Sequence, residues 1–393
     1  MGAFGIYGSP LCFRRKQGGI YLNIIVKFIK SQPVLVIAFI AAVITMFVIP
    51  PDMQYLDYCN LTVLIQLFAL MMAVAGFRSV GIFDIVTRGI MKKAGSIRRL
   101  GLVLTVICFF SSMLVTNDVA LLTFVPLTIL IFKDIPDEKS RILTIVLETA
   151  AANLGSMMTP VGNPQNLFLY DEFNLTMGTF LDVMLPVGLV SLICLVGLVF
   201  LLPKKSCTTP PSGDAAVSKV HTAAYAVVFL LCLLCGFRLV PEYVCLIAAV
   251  LAAVIFDRSL LKKVDYSLLA TFVCFFVFVG NIARIDVVRV FFSEIMAGRE
   301  LIVSALLSQV ISNVPAAVML SGFTENGTEL LLGVDLGGLG TLIASLASLI
   351  SFQFYRKSEG ARSGRYLLVF SAVNFGMLGL LLIFEFGWKH LFG

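Results

Sequence analysis

Two short polar stretches, Thr116-Asn117-Asp118 and Ser312-Asn313-Val314-Pro315, interrupt long apolar runs of this chain and decide its fold. The first run covers residues 101–132 and the second covers residues 301–323. The first is too long for one straight membrane crossing, which takes about 20 residues. We therefore predict that both runs fold back as re-entrant helical hairpins, turning at Asn117 and at Pro315. For the second run, a single tilted helix is the alternative.

A second apolar segment follows each hairpin, and it too is broken. Residues 159–166 read Thr-Pro-Val-Gly-Asn-Pro-Gln-Asn, and residues 337–341 read Gly-Gly-Leu-Gly-Thr. Proline and glycine at these densities cannot propagate an α-helix. In hydrocarbon, broken backbone survives only where protein or a water-filled cavity satisfies its polar groups. Paired interruptions in the two halves of a membrane protein indicate the binding site of a transporter. For the glycines, tight helix packing is the alternative.

The composition is that of a multi-pass membrane protein. Of the 393 residues, 59% are hydrophobic and 13% are charged, whereas a soluble domain averages roughly 25% charged residues. Basic residues in cytoplasmic loops explain the net charge of +6, so no nucleic acid partner is expected. The pair Cys232 and Cys235 lies in an apolar run without a nearby histidine, which favours packing over metal or redox chemistry. The chain has no nucleotide motif and no His–Asp–Ser set, so we do not expect an enzyme.

The charge distribution tests the predicted topology. Nine segments are read as membrane spans, two of them interrupted. They are 32–50, 56–76, 141–170, 177–202, 222–239, 243–256, 266–283, 329–352 and 366–387. With the N-terminus in the cytoplasm, most of the 29 Lys and Arg residues fall in cytoplasmic loops, as the positive-inside rule requires. If either hairpin crossed the membrane completely, the loops that follow it would change sides, and the excess of basic residues in cytoplasmic loops would be lost. The charges therefore support re-entrance and put the C-terminus outside.

The same topology makes the two halves inverted repeats. Residues 67–76 (Leu-Phe-Ala-Leu-Met-Met-Ala-Val-Ala-Gly) resemble residues 271–280 (Thr-Phe-Val-Cys-Phe-Phe-Val-Phe-Val-Gly). An amphipathic stretch, 77–98 or 281–299, follows each of them and precedes the hairpin. We predict an all-α polytopic membrane protein with two inverted-topology repeats, each with a re-entrant hairpin and a discontinuous helix. The predicted parts are a cytoplasmic or interfacial N-terminal segment (1–31), a first repeat (32–202), a cytoplasmic linker (203–221) and a second repeat with one extra connecting span (222–393).

The tips and breaks carry the candidate chemistry. A re-entrant tip leaves N–H groups of one half-helix and C=O groups of the other without helical partners. The N-terminal end favours an anion, and free carbonyls favour a hard cation such as Na⁺. The alternative is that these polar residues only bind helices together, but matched Asn residues in both repeats favour a site. The candidate substrate-binding residues are Thr116, Asn117, Asn163, Gln165, Asn166, Ser312, Asn313, Pro315 and Thr341. The candidate ion-binding residues are Asn117, Asp118, Gly162, Asn313 and Gly338.

Acidic residues at membrane depth are functional candidates. Asp118 adjoins a hairpin tip, so we predict that it binds a cation or accepts a proton. Glu148, Asp335 and Glu385 are expected near membrane interfaces, without a functional role. The tips and breaks contain no Lys or Arg, so an anion would be held by amides, hydroxyls and helix ends beside a bound cation. We expect Na⁺ or H⁺ as the coupling ion, no transition metal and no other cofactor.

Four segments resemble the signature regions of the ion transporter superfamily. This group includes the divalent-anion/sodium symporters, the citrate-transporter-like permeases and the arsenite/antimonite efflux permeases. The resemblance covers most of the chain from about residue 32 onward, and it implies inverted repeats, a homodimer and an elevator motion of a transport domain against a scaffold. The segments are Ser112–Ala120 (SMLVTNDVA), Pro160–Asn166 (PVGNPQN), Ser312–Ala316 (SNVPA) and Gly337–Thr341 (GGLGT).

The resemblance also suggests roles for the tips. In the sodium-coupled dicarboxylate branch, Ser-Asn-Thr tips hold both sodium and carboxylate, and their Asn positions correspond to Asn117 and Asn313. Asp118 and Val314 replace the last hydroxyl residue, which is more similar to the arsenite and citrate-type branches. We predict an inner-membrane secondary transporter, surrounded by lipid, that moves a small anion (a carboxylate or an inorganic oxyanion) coupled to Na⁺ or H⁺. An arsenite/antimonite efflux permease is the first alternative; a cation/proton antiporter and a channel are the others.

Overall fold

The computed structural model describes residues 32–82, 95–133, 135, 137–206, 218–236 and 238–392. The predicted N-terminal segment 1–31 and most of the amphipathic stretch 77–98 lie outside the described residues. The described chain is all-α apart from an isolated β-bridge between Ser96 and Ser206. The predicted fold class is therefore confirmed.

The helices follow the predicted order. The first half contains α1 (Pro33–Val48), α2 (Tyr55–Tyr58), α3 (Leu61–Ser79), α4 (Ile97–Val115), α5 (Asn117–Ile131), α6 (Glu138–Ser156), α7 (Pro164–Glu172) and α8 (Met177–Val199). The second half contains α9 (Lys219–Gly236), α10 (Glu242–Phe256), a 3₁₀ turn (Arg258–Lys263), α11 (Tyr266–Ala283), α12 (Asp286–Met296), α13 (Glu300–Ile311), α14 (Asn313–Ser321), α15 (Gly327–Gly337), α16 (Leu346–Lys357) and α17 (Ser363–Phe392). Among the described residues, 5 helices are long and apolar enough to cross a membrane alone, namely α3, α4, α8, α11 and α17.

Both predicted hairpins are present. The arms α4 and α5 pack against each other, and so do α13 and α14. The turns fall at Thr116 and Ser312, whose φ angles are 74° and 77°, and not at Asn117 and Pro315 as predicted. Asn117 begins α5, and Pro315 lies in the first turn of α14. Proline is tolerated there because the first N–H groups of a helix have no intrahelical acceptor.

Both predicted helix breaks are present as well. Helix α6 ends at Ser156 and α7 begins at Pro164, while α15 ends at Gly337 and α16 begins at Leu346. The start of α7 follows from its sequence, because proline suits the first helical position and Asn is a strong N-cap. The Asn163 side chain accepts the N–H of Asn166 at 2.8 Å.

A matched pair of glycines supports the repeat alignment. Helix α1 packs on α11, and α3 packs on α9 and α10, so the first helices of each half contact the other half. A Cβ atom at Gly76 would overlap the ring of Tyr225, and a Cβ atom at Gly280 would overlap the ring of Tyr58. Gly76 and Gly280 end the two segments whose sequences resemble each other. Glycine at this position therefore lets an aromatic ring pack directly on the helix in both repeats.

Side-chain contacts group the loops as the re-entrant topology requires. Arg98, before the first hairpin, donates from Nε to the carbonyl oxygen of Leu202 at 2.7 Å. At the other end of the molecule, Arg284 donates to Asp52 at 2.8 Å. Each pair joins loops that were predicted on one side of the membrane. Which side is cytoplasmic stays a prediction, as do the domain boundaries; helix α9 begins at Lys219, inside the predicted linker 203–221.

Candidate functional site

The two hairpin tips and the two helix breaks meet around one small cavity of about 10 Å³, which has room for about one water molecule. Its walls are the first residues of α5, α7, α14 and α16, closed by one residue of α11. Four helix N-termini therefore converge on this cavity, and none of the described residues that line it is a Lys or an Arg. The lining residues are Asn117, Asp118, Pro164, Gln165, Leu268, Asn313, Val314, Ser345 and Leu346.

The two tips are held in the same way. The N–H of Asn117 donates to the carbonyl oxygen of Gly162 at 3.3 Å, and the N–H of Asn313 donates to that of Ala344 at 2.9 Å. Each tip is thus fastened to the break of its own repeat. The preceding residues have φ near 75° with ψ near 150°, a region that costs a residue with a side chain about 1–3 kcal/mol. Such strain persists only where the surrounding structure enforces it, and it clusters at functional sites.

The tip amides also match each other. Each Oδ1 accepts the N–H of the next residue, at 2.9 Å for Asn117 and 3.0 Å for Asn313. The amide nitrogen of Asn117 donates to Asn153 Oδ1 at 3.1 Å. A Cβ atom at Gly338 would lie 2.9 Å from the amide nitrogen of Asn313. Glycine at 338 therefore makes room for the tip amide of the second repeat.

Asn153 connects the two repeats. Its Oδ1 also accepts from Ser345 Oγ at 3.0 Å, and its Nδ2 donates to Ser348 Oγ at 3.2 Å. Both serines belong to the broken segment of the other repeat. Asn153 thus joins the first hairpin tip to the second break, and it is buried.

Asp335 is the counterpart of Asn153 in the second repeat. Each lies six residues before a threonine, Thr159 or Thr341, that occupies the same place in its break. Asp335 Oδ1 accepts from Asn163 at 3.1 Å and from Gln165 at 3.0 Å, again across the repeats. Its Oδ2 is buried and has no hydrogen-bond partner among the described residues. Asp335 is therefore buried between the two repeats, and its depth in the membrane stays a prediction.

Side-chain amides occupy several carbonyl groups that the breaks release. Asn166 donates to the carbonyls of Met157 and Thr159, both at 3.2 Å. In the second repeat, Gln309 donates to the carbonyls of Gly337 at 2.8 Å and Leu339 at 3.0 Å. These carbonyls therefore accept hydrogen bonds from side-chain amides, whereas the sequence predicts that free carbonyls are available to bind a cation. Gln309 was missed because it lies inside an apolar helix; its position three residues before the tip was the available signal.

The predicted site residues thus fall into three groups. Asn117, Gln165 and Asn313 line the small cavity, and Asp118 lines both this cavity and a larger one, which Thr116 also lines. The remaining predicted site residues contact the tips or the breaks and hold them in position. These are Gly162, Asn163, Asn166, Ser312, Pro315, Gly338 and Thr341.

The larger cavity lies between the first hairpin tip and α3. It has a volume of about 520 Å³ and a mostly apolar lining. Its charged lining residues are Arg78, Asp118, Lys263 and Asp265. Within the part of the chain that the structure describes, the Asp118 carboxylate makes no hydrogen bond and no ion pair. Arg78 and Lys263 were not predicted as site residues, because they lie on helix α3 and the 3₁₀ turn, remote in sequence from both tips.

Inverted repeats with re-entrant hairpins and broken helices that meet at a polar centre define this protein as a multi-pass membrane transporter. The chain belongs to the citrate transporter family, whose model matches residues 21–331. The predicted superfamily is therefore confirmed.

Individual relatives agree with this assignment. An uncharacterized transporter of Methanocaldococcus jannaschii is 35% identical over 307 residues, covering 77% of this chain and 83% of that protein. The inner membrane protein YbiR of Escherichia coli is 28% identical over 294 residues, covering 74% and 78%. The crystal structure of the Alcanivorax borkumensis YdaH transporter superposes with a TM-score of 0.54 at 13% identity, covering 86% of this chain and 88% of that one. This last likeness concerns the fold.

Proposed function

We propose that this protein is a secondary active transporter of a small anion, a carboxylate or an inorganic oxyanion, coupled to Na⁺ or H⁺. The convergence of four helix N-termini on one cavity carries the proposal. Each N-terminus acts as about half a positive charge, and its N–H groups suit anion oxygens. A neutral solute such as arsenous acid gains less from this field than a carboxylate does. The arrangement therefore favours an anion over the arsenite alternative.

In this proposal, the carboxylate of Asp335 binds the coupling ion. It is buried beside the anion cavity, and within the described ranges it has no Lys or Arg partner. An isolated carboxylate in such a place is costly unless a cation or a proton neutralises it. The same neutralisation removes the repulsion between Asp335 and a bound anion. Each ligand then favours the other, which is the reciprocal coupling that secondary transport needs. Asp118, at the junction of the two cavities, is the second candidate ligand for the ion.

The proposed transport cycle is of the elevator type. In this proposal, α1, α3, α9, α10 and α11 form the scaffold, and the hairpins with the broken helices form the moving part. The 520 Å³ cavity beside α3 then leads to the site from the side predicted as cytoplasmic. Arg78 and Lys263 in its walls would draw anions toward Asp118 and the tips. We further propose that the protein is a homodimer in the inner membrane, with its N-terminus in the cytoplasm and its C-terminus outside.

A ligand screen tests the proposed function. Purified protein is heated with citrate, succinate, sulfate or arsenite, each with sodium or choline as the cation, and the melting temperature is measured. An anion that stabilises the protein is then followed into proteoliposomes. We expect saturable uptake that depends on an ion gradient. A flux that rises linearly with concentration would indicate a channel, and stabilisation by arsenite alone would favour the efflux alternative.

Two variants test whether the stabilising anion binds at this cavity. Asn313→Ala removes an amide that lines the cavity, so stabilisation by the anion should fall. Asn374→Ala removes an amide that is equally buried but donates to Phe370 within α17, away from the cavity. The second variant should lower the melting temperature without changing the anion's effect. Equal loss of the anion's effect in both variants would contradict the proposed site.

A further inference from the structure

One face of α3 forms a wall of the larger cavity over about three helical turns. The lining residues of α3 lie three or four positions apart, so their side chains form a single stripe along the helix. Between Leu67 and Arg78 this stripe is about 16 Å long, at about 1.5 Å per residue. It is apolar until its last turn, where Arg78 and Ser79 follow. The apolar members are Leu67, Leu70, Met71, Val74 and Ala75.

The first hairpin and the neighbouring helices extend this apolar surface. Val119 and Leu122 of α5 line the cavity directly after Asp118. Leu67 and Val74 of α3 are buried, so protein encloses this part of the cavity. A solute in the cavity therefore contacts mainly hydrocarbon. The remaining apolar lining residues that the structure describes are Pro164, Leu268 and Ile350.

The charged lining residues offer little to a second anionic group on the solute. Asp118 and Asp265 line the cavity beside Arg78 and Lys263, so the formal charges of these four residues balance. Lys263 also lies 3.9 Å from Asp257. A second carboxylate in this cavity would lose water to an apolar wall without gaining an excess of positive charge, and that loss is costly.

The larger cavity adjoins the anion cavity, and the two differ in what they can hold. Asp118, Pro164 and Leu268 line both cavities. The anion cavity, with room for about one water molecule, takes a carboxylate oxygen and not the rest of a solute. The larger cavity, at about 520 Å³, has the size and the mostly apolar lining that small-molecule sites have. The body of a bound solute must therefore lie in the larger cavity.

We propose that the anion bound at this site carries a single carboxylate on an apolar body. The carboxylate lies at the N-termini of α5 and α7, and the apolar body lies between α3 and α5. Citrate and succinate would place a second charge against the apolar stripe of α3, and an inorganic oxyanion would leave the stripe without a contact. This inference rests on the proposed function, and it narrows the solute from any small anion to a monocarboxylate.

Isothermal titration calorimetry tests the inference by binding alone. The protein in lipid nanodiscs is titrated with propionate, butyrate, pentanoate and hexanoate, and empty nanodiscs supply the blank. Burying one methylene group should tighten binding about fourfold, so the Kd should fall by about that factor at each step of the series. The heat capacity change of binding should become more negative with chain length, because apolar surface is buried.

Two compounds of the same carbon number as hexanoate separate the alternatives. Adipate, with a second carboxylate, should bind more weakly than hexanoate, and so should 1-hexanol, which lacks the charge. A Kd that does not change with chain length, or adipate that binds more tightly than hexanoate, overturns the inference. Equal binding of 1-hexanol and hexanoate also overturns it, because the cavity would then accept any apolar chain, including that of a lipid.

A matched pair of variants places the apolar body in the larger cavity. Ala75 and Ala248 are both half-buried alanines that pack against one hydrophobic cluster, but Ala248, on α10, is outside the cavity lining. Ala75→Leu should weaken hexanoate binding more than propionate binding, whereas Ala248→Leu should leave the series unchanged. If Ala75→Leu does not fold, Leu122→Ala replaces it, since it removes part of the apolar wall and should flatten the dependence on chain length. The same response in the cavity variant and in Ala248→Leu overturns the placement.

Uptake into proteoliposomes separates the failure of this inference from the failure of the proposed function. If the monocarboxylates bind as expected but no anion is taken up, the proposed function fails and the class of ligand stands. If citrate, succinate or sulfate is taken up and the longer monocarboxylates are not, the proposed function stands and this inference is overturned.

Discussion

Replacing Asp335 separates its structural role from its proposed role in ion coupling. Asp335 Oδ1 accepts two amide hydrogen bonds across the repeats, from Asn163 and Gln165. Asp335→Ala leaves both donors unpaired in a buried place, at about 1–3 kcal/mol each. The expected loss of folding stability is therefore about 2–6 kcal/mol. Asp335→Asn keeps an oxygen that can accept both bonds, and the equivalent Asn153 demonstrates that an amide fits this position of the fold.

The two variants should therefore differ in what they lose. Asp335→Ala should melt well below the unsubstituted protein, measured by gel filtration after heating. Asp335→Asn should melt normally but lose stabilisation by the coupling ion. For sodium at 100 times its Kd, that stabilisation would be about 2.7 kcal/mol. In proteoliposomes, the Asn variant should exchange the anion across the membrane but not accumulate it.

Two results would refute this reasoning. If Asp335→Asn keeps the same dependence on sodium and on pH, the coupling ion does not bind at Asp335. If Asp335→Ala melts at the same temperature as the unsubstituted protein, the two amide donors do not depend on it, and the cross-repeat contacts carry less stability than the geometry indicates.

Four further predictions address the tips, the break, the ion and the topology. Asn117→Ala and Asn313→Ala should each reduce initial uptake about 5- to 150-fold, the kinetic equivalent of about 1–3 kcal/mol, while the protein still folds; normal uptake by both would remove them from the site. Gly340→Ala should destabilise the protein by about 1–3 kcal/mol, because its φ of 100° is unsuited to a side chain and a Cβ atom would overlap a glutamine amide; an unchanged melting temperature would contradict this. Asp118→Asn should weaken the sodium dependence of transport if Na⁺ binds there, or abolish accumulation driven by a pH gradient if a proton does; unchanged transport, sodium dependence and pH profile would leave Asp118 a purely structural role. A cysteine introduced at Lys139 should react with impermeant reagents from the cytoplasmic side, and labelling from outside would overturn the re-entrant hairpin.

Local sequence signals predicted the hairpins and the breaks because each depends on a few neighbouring residues. Proline and glycine at 160–164 cannot continue a helix, and Asn163 caps the helix that follows. The exact turn residues were harder to predict. Both turns fall one residue before the Asn, at Thr116 and Ser312, in a backbone conformation that is rare for residues with side chains. The tips hold this conformation through contacts with the breaks, and those contacts are distant in sequence.

The surroundings of the acidic residues cannot be predicted from local sequence patterns, because they depend on contacts between residues that are distant in sequence. The position of Asp118 beside a tip in the sequence predicts that it belongs to the site, and Asp118 does line both cavities. The positions of Asp335 and Glu148 along the predicted spans predict that both lie near interfaces; both side chains are buried inside the protein, and their depth in the membrane stays a prediction. Asp335 is central because its partners come from the opposite repeat, more than a hundred residues away. Gln309 is not predicted because it lies inside an apolar helix, and its acceptors, the carbonyls of Gly337 and Leu339, follow it by 28 and 30 residues.

The sequence by itself determined that this is a membrane protein of two inverted repeats with paired polar interruptions, since hydropathy, charge bias and helix-breaking residues act within one segment at a time. The tertiary structure decided which of those interruptions meet. Four helix N-termini converge on one cavity because the two repeats interlock, so that Asn153 reaches the second break and Asp335 reaches the first. Buried amides and carboxylates in a membrane protein must find partners inside the protein. The choice of partner is a property of the packed helices, and it is this choice that places Asn153 and Asp335 between the two repeats.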